Sequence, residues 1–296
     1  MQGTVDGFSY GLVTPVAAFL MACLGGALGL RCTTRSLREH GTFKPGWLAL
    51  GATSIGSGIW TMHFIAMMGF TVQEAPVGYD PAITFASLAV AIVMVGIGIF
   101  IVGYRGATAM ALVTGGTITG LGIATMHYLG MAGMRLPGRL QYETLTVALS
   151  VVIAVVAATS ALWAAVSIHG FLPSLGAGLG MGVAVTGMHY TGMAAVRVHL
   201  HGDGLTAGDG DTTTSLLGPM LVGPAVFLLL AGVVVMFDPL LVTGGDRDGQ
   251  RAVLAAPGRS LRRPGAPVQW QSHFYDEPAV RSPARRPRRR ERTGDR

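Results

Sequence analysis

Charge is what this sequence has least of. Charged residues make up 12% of the 296, about half the share of a soluble domain. A chain so poor in charge cannot cover its own surface in water, so a soluble globular protein of this length is excluded. Cysteine is almost absent too. Cys23 and Cys32 give no disulfide framework, neither has a second cysteine at metal-ligand spacing, and covalent haem attachment would need a CxxCH that is not there. Carboxylates are missing from every long apolar stretch, which argues against hydrolytic chemistry inside them. No basic residue precedes the first stretch, which speaks against a cleaved signal peptide.

What is abundant fits a membrane. Half of the residues are hydrophobic and 44 are glycine, and small residues let helices in lipid approach backbone to backbone. Stretches of about 20 apolar residues can cross the hydrocarbon core as helix. Seven are found: Tyr10–Leu30, Gly46–Phe70, Ala82–Tyr104, Ala107–Met134, Leu145–Ile168, Phe171–Val196 and Leu216–Phe237. The fold expected is an all-α membrane bundle of seven helices, built from three helix pairs plus one span.

Basic residues in short loops set orientation. Arg31, Arg35, Arg38 and Lys44 follow the first span and Arg105 follows the third, whereas the second loop holds Glu74 and Asp80 and no basic residue. This predicts an outside N-terminus and an inside C-terminus, with Arg135 and Arg139 in the fourth loop as the exception. The positive excess lies at the C-terminal end. Residues 1–242 carry eight Lys+Arg against nine Asp+Glu, and residues 243–296 carry thirteen Arg against six acids. Two parts are therefore expected: a membrane domain over 8–240, and a disordered basic cytoplasmic tail over 241–296. Beside a membrane, the run Arg285-Arg286-Pro287-Arg288-Arg289-Arg290 reads as contact with anionic lipid headgroups. Nothing aromatic or folded supports nucleic-acid binding there.

The chemistry sits in an internal repeat. Thr61-Met62-His63-Phe64-Ile65-Ala66-Met67, Thr125-Met126-His127-Tyr128-Leu129-Gly130-Met131 and Gly187-Met188-His189-Tyr190-Thr191-Gly192-Met193 align without gaps as M-H-[FY]-x-[AG]-M. The histidines recur every two spans, so the unit is a helix pair and each copy points the same way. At a rise of about 1.5 Å per residue, all three lie roughly 24 to 28 Å from the cytoplasmic ends of their spans. They share one depth near the outer face. Closure about a pseudo-threefold axis would bring the imidazoles together; a linear arrangement would leave them apart.

Ionisable residues inside spans are functional candidates, and here they recur in one context. On a helix the i+4 residue stays on nearly the same face as residue i, whereas i−1 lies about 100° away. Met67, Met131 and Met193 thus share a face with their histidines, and Met62, Met126 and Met188 sit further round. Imidazole with thioether is a soft, uncharged ligand set that suits copper, Cu(I) above all. A haem held by two of the histidines, zinc, and copper transport or handling are the alternatives. His199, His201 and Asp203, in the loop after the third repeat, form a possible secondary metal site.

These motifs, Met188-His189-Tyr190-Thr191 most directly, resemble the one that names the MHYT family of bacterial integral membrane sensor domains. The resemblance covers about residues 8–240. It implies a multi-pass protein of the bacterial inner membrane, with a six-span sensor core and one further span. It implies copper on Met62, His63, Met67, Met126, His127, Met131, Met188, His189 and Met193, and sensing of oxygen, carbon monoxide or nitric oxide. Such relatives often carry a cytoplasmic cyclic-dinucleotide synthase or hydrolase domain. The expectation here is a non-enzymatic receiver that signals to a separate cytoplasmic partner. Trp47, Trp60, Tyr79 and Tyr104, near span ends, read as interface anchors.

Overall fold

The computed structural model describes residues 3–38, 45–168, 171–200 and 211–237, all within one compact unit, Met1–Val253. The expected tail falls outside the described residues, as do His40, His169, His201, Asp203 and His273. Seven helices account for most of what is described: α1 (Val13–Arg38), α2 (Pro45–Met68), α3 (Pro81–Arg105), α4 (Ala109–Ala132), α5 (Thr144–Ser167), α6 (Phe171–Ala194) and α7 (Asp211–Met236). Five of them, α1, α3, α4, α5 and α7, are long and apolar enough to cross a membrane. The other two are α2 and α6. α2 is buried along most of its length.

Helices α1 to α6 pack in sequence order, and α6 returns to α1, so they close a ring. Small residues make this possible. A Cβ on Gly25 would lie 2.7 Å from the Gly58 backbone of α2, so α1 and α2 touch main chain to main chain. The even-numbered helices also meet one another across the ring, since α2 touches both α4 and α6. Outside it, α7 lies against α2 and α1 through a cluster of Leu28, Cys32, Leu228, Ala231 and Val235.

Six short strands were not foreseen in an all-helical reading. They are β1 (Val5–Asp6), β2 (Thr71–Val72), β3 (Gly78–Tyr79), β4 (Met134–Arg135), β5 (Gly138–Tyr142) and β6 (Val196–Leu200). They pair antiparallel as β1–β2, β3–β4 and β5–β6. Each pair ties the start of an odd-numbered helix to the end of the next even one, so the repeating unit is strand–helix–helix–strand. One further hydrogen bond marks every unit. The carbonyls of Gly69, Gly133 and Ala195 accept from the backbone N–H groups of Ser9, Asp80 and Glu143. These carbonyls stand six residues after each histidine. Gly3 donates to the Val198 carbonyl, which joins the first unit to the third. Residues from Gly3 to Ser9 thus contribute to this belt.

The starts of α3 and α5, on the strand side, are capped. Asp80 accepts from the Ile83 N–H with Pro81 in the first turn of α3, and Glu143 accepts from the Leu145 and Thr146 N–H groups at α5. Such caps satisfy amides that a helix start leaves unpaired. Three local expectations change. Arg31, Arg35 and Arg38 lie within α1, not in a loop, because nothing in Arg31–Arg38 breaks a helix. Arg35 is buried with its guanidinium over the Trp47 ring. Trp60 and Tyr79 are buried, and so are not interface anchors. The Trp60 indole N–H donates to the Thr84 carbonyl and the Ser87 hydroxyl at 3.1 and 3.0 Å.

Candidate metal centre

His63, His127 and His189 stand five residues before the ends of α2, α4 and α6, so equal depth follows from equal register. Ring closure turns equal depth into convergence. The Nδ1 atoms lie 3.0 Å (His63–His189), 3.2 Å (His63–His127) and 3.3 Å (His127–His189) apart. All three side chains are buried, and the rings stand nearly perpendicular to one another at 76°, 77° and 89°. Three repeats thus form a three-bladed propeller of imidazoles on the ring axis. Among the described residues, Arg35 is the only other buried side chain of the Asp, Glu, Lys, Arg and His types, and it lies toward the opposite end of α1.

Proton accounting shows what this arrangement lacks. An imidazole nitrogen carries either one N–H or one lone pair in the ring plane. Three N–H groups meeting within these distances would collide, three bare lone pairs would repel, and mixed tautomers pair one N–H with a neighbouring lone pair without satisfying all three nitrogens together. A cation is the partner that suits all three at once. A triangle with these sides has its centre about 1.8 Å from each corner, close to the metal–nitrogen distance of about 2.0–2.1 Å for imidazole. The donor set therefore fits a metal ion bound through three Nδ1 atoms.

In that tautomer each Nε2 carries the proton. Metal-bound histidines usually donate this N–H to a carbonyl, carboxylate or water. Here Nε2 of His63 and of His127 is buried without a hydrogen-bond partner, and packing holds the rings instead. A Cβ on Gly130 would lie 2.6 Å from His63 Nε2, and one on Gly192 would lie 2.5 Å from His127 Nε2. Each of these two imidazoles thus lies over the small residue of the next repeat. Each ring also meets the aromatic residue that follows it, edge to face: Phe64, Tyr128 and Tyr190, at centroid distances of 4.6, 4.8 and 5.1 Å. The [AG] position was visible in the repeat pattern, but its role becomes readable only once the neighbouring repeat is in place.

The methionines take two places. Met67 and Met131 are buried and Met193 is half-buried, one turn nearer the strand belt on the histidine faces. Met62, Met126 and Met188 are buried about 100° round their helices. His199 lies in β6 opposite Arg139 of β5, while His201 and Asp203, the rest of the possible secondary site, fall outside the described residues.

The belt above the triad is held by polar ties. Arg135 of β4 pairs with Asp80 at 2.5 Å, and this hydrogen bond, with help from the Ile83 N–H, holds the Asp80 carboxyl below its ordinary range. Glu74 accepts from the Thr4 N–H at 2.9 Å, and the contact with Thr4 lowers its carboxyl as well. Arg135, one exception to the charge rule for orientation, thus has a local ionic partner. Phe8 stacks on Tyr190 at 5.6 Å, bringing the N-terminal segment over the third repeat.

The family model for the MHYT repeat, a bacterial signalling protein N-terminal repeat, matches residues 56–115 and 120–178. The chain belongs to the MHYT repeat family. His63 and His127 fall inside the matched segments; His189 lies beyond them, and the propeller geometry supplies it as the third member. The chain is 34% identical over 238 residues to the bifunctional diguanylate cyclase/cyclic di-GMP phosphodiesterase MucR of Pseudomonas aeruginosa, covering 79% of this chain and 35% of that protein. It is 35% identical over 210 residues to the cyclic di-GMP phosphodiesterase NbdA of the same organism, covering 66% and 26%. It is 30% identical over 190 residues to the signaling protein YkoW of Bacillus subtilis, covering 62% and 23%. The chain thus spans about a quarter to a third of the relatives it matches. No solved structure matches it.

Proposed function

We propose that this chain is the receiver of a bacterial inner-membrane signalling system, in which His63, His127 and His189 hold one copper ion through Nδ1. The observation that carries this reading is the triangle of buried Nδ1 atoms with sides of 3.0 to 3.3 Å. Met67, Met131 and Met193 are the thioethers placed to complete the ligand set. Neutral nitrogen and sulfur donors favour copper over hard cations. Haem would need two imidazoles on opposite faces of a macrocycle, and three ring nitrogens this close leave no space for one. Bound copper supplies one-electron redox chemistry and affinity for diatomic ligands. The chain's own residues orient the three rings, exclude bulk water and couple three helices to one point. A change in oxidation state or in a bound oxygen, carbon monoxide or nitric oxide would then bias how α2, α4 and α6 pack.

In this reading all seven helices span the bilayer, with the strand belt and triad outside and the C-terminal end inside, a reading supported by the basic residues of α1 and Arg105. The segment acts as a non-enzymatic receiver that passes its signal to a cytoplasmic partner, and the curated relatives, two of them named for cyclic di-GMP enzymes, support a signalling role. Metal analysis with an optical spectrum on detergent-purified protein tests the proposal. One copper per chain, responding to carbon monoxide or nitric oxide, is expected. A Soret band, or protein purified without metal that takes up none, overturns it.

A further inference from the structure

We propose that the apolar chamber on the ring axis beneath the histidines is a binding site for one small uncharged molecule of dioxygen or xenon size. Its place follows from helical register. One turn below each histidine, at i−4, stand Ile59, Ile123 and Val185, and at i−8 stand Ile55, Thr119 and Met181; all six line the same chamber. At about 1.5 Å per residue these layers lie about 6 and 12 Å from the triad. The chamber is therefore stacked under the imidazoles on the same three helix faces, and residues from all six ring helices enclose it.

Size and polarity narrow the occupant. The chamber leaves about 20 Å³ open to the centre of a water-sized sphere, and about 10–15 Å³ on that measure holds one water. A water needs two to four polar partners, and apolar cavities of this kind stay dry and take up xenon. Two hydroxyl residues reach the lining, Thr33 and Thr119. Thr33 already donates to the Gly29 carbonyl at 2.8 Å. Thr119 is buried and its Oγ1 has no partner. A single hydroxyl packed against Gly98 of α3 cannot satisfy a water, so the chamber suits a small apolar guest. The guest would arrive from the apolar phase, where such molecules concentrate, and would rest one turn from the triad.

The link from this chamber to signalling rests on the sensor reading above, but its occupancy needs no metal. The test therefore uses metal-free full-length protein in lipid nanodiscs with isoleucine methyl groups labelled, titrated with xenon and observed by NMR. Saturable shifts are expected at Ile59 and Ile123, while Ile97, exposed on the outside of α3, shifts only in proportion to xenon pressure. Ala161→Leu, or the milder Ala158→Val, fills the chamber from α5 and is expected to weaken xenon binding at least tenfold with methyl dispersion retained. Unsaturable shifts at Ile59 and Ile123, full binding in both well-folded variants, or a persistent water signal to the Ile59 methyls would overturn the proposal. Saturable xenon binding in protein that takes up no copper would leave the chamber standing and remove the copper reading.

Discussion

The Nδ1 atoms of His63 and His189 lie 3.0 Å apart across 126 residues of sequence. Two imidazoles meet this way because α2 and α6 end at the same level, and the ring closes α6 against α1. His127 completes the triangle from α4. Each expectation below depends on that closure.

Removing any one imidazole leaves two nitrogens and a buried gap. His63→Ala, His127→Ala and His189→Ala are each expected to lower copper affinity by more than about 100-fold, beyond the roughly 10–100-fold of an outer-shell change. Isothermal competition with a copper chelator measures this. Met131→Leu is expected to weaken binding more than Met126→Leu, because only the former shares the histidine face. Equal affinity in both variants would remove the thioethers from the ligand set.

Gly130 and Gly192 orient rings in the preceding repeat. Gly130→Ala places a methyl against His63 Nε2, and Gly192→Ala does the same to His127. Each is expected to reduce copper affinity by about 10–100-fold and to alter the optical spectrum of what still binds. Gly46→Ala, where an added methyl meets nothing, is the control and is expected to be silent.

The strand belt is expected to loosen in acid. Asp80 is held below its ordinary value by Arg135, so the folded state binds its proton less readily than the unfolded chain does. Its contribution is fully present above the unfolded value of about 3.9 and is lost as pH falls through the lower folded one. Hydrogen exchange at Tyr79 and Met134, relative to its intrinsic rate at each pH, is expected to quicken below about pH 4. In Asp80→Asn the faster exchange is expected already at neutral pH. Identical exchange profiles for variant and parent would disconnect this ion pair from the belt.

Orientation is open to direct labelling. With Cys23 and Cys32 replaced, Val5→Cys in the exposed part of β1 is expected to react with a membrane-impermeant maleimide on intact cells. Gly46→Cys, at the start of α2, is expected to react only after lysis. The reverse pattern would invert the topology.

Much of this architecture is legible in the sequence, for identifiable reasons. Helix lengths follow from apolar runs, and the three histidines share a depth because they share a register within equal units. The repeat states that the units are alike, but not that they close. Closure depends on small-residue contacts such as Gly25 against Gly58, which are pairings between distant segments. The strands are hard to read because four of the six are two residues long, too short to show alternation, although Leu140 and Tyr142 in β5 and Val196, Val198 and Leu200 in β6 do alternate. Trp60 was misread as an anchor because its acceptors, the Thr84 carbonyl and Ser87 hydroxyl, lie on a different helix. The [AG] position shows in the sequence as a pattern and not as a contact, since the ring that Gly130 or Gly192 receives belongs to the preceding repeat.

The central claim is that three Nδ1 atoms hold one copper ion, and X-ray absorption at the copper edge on purified, copper-loaded protein tests it most directly. The expected result is one copper per chain with three imidazole nitrogens at about 2.0 Å, and its loss in the His63→Ala/His127→Ala/His189→Ala variant. Copper coordinated without imidazole, or bound unchanged in the triple variant, would contradict the account.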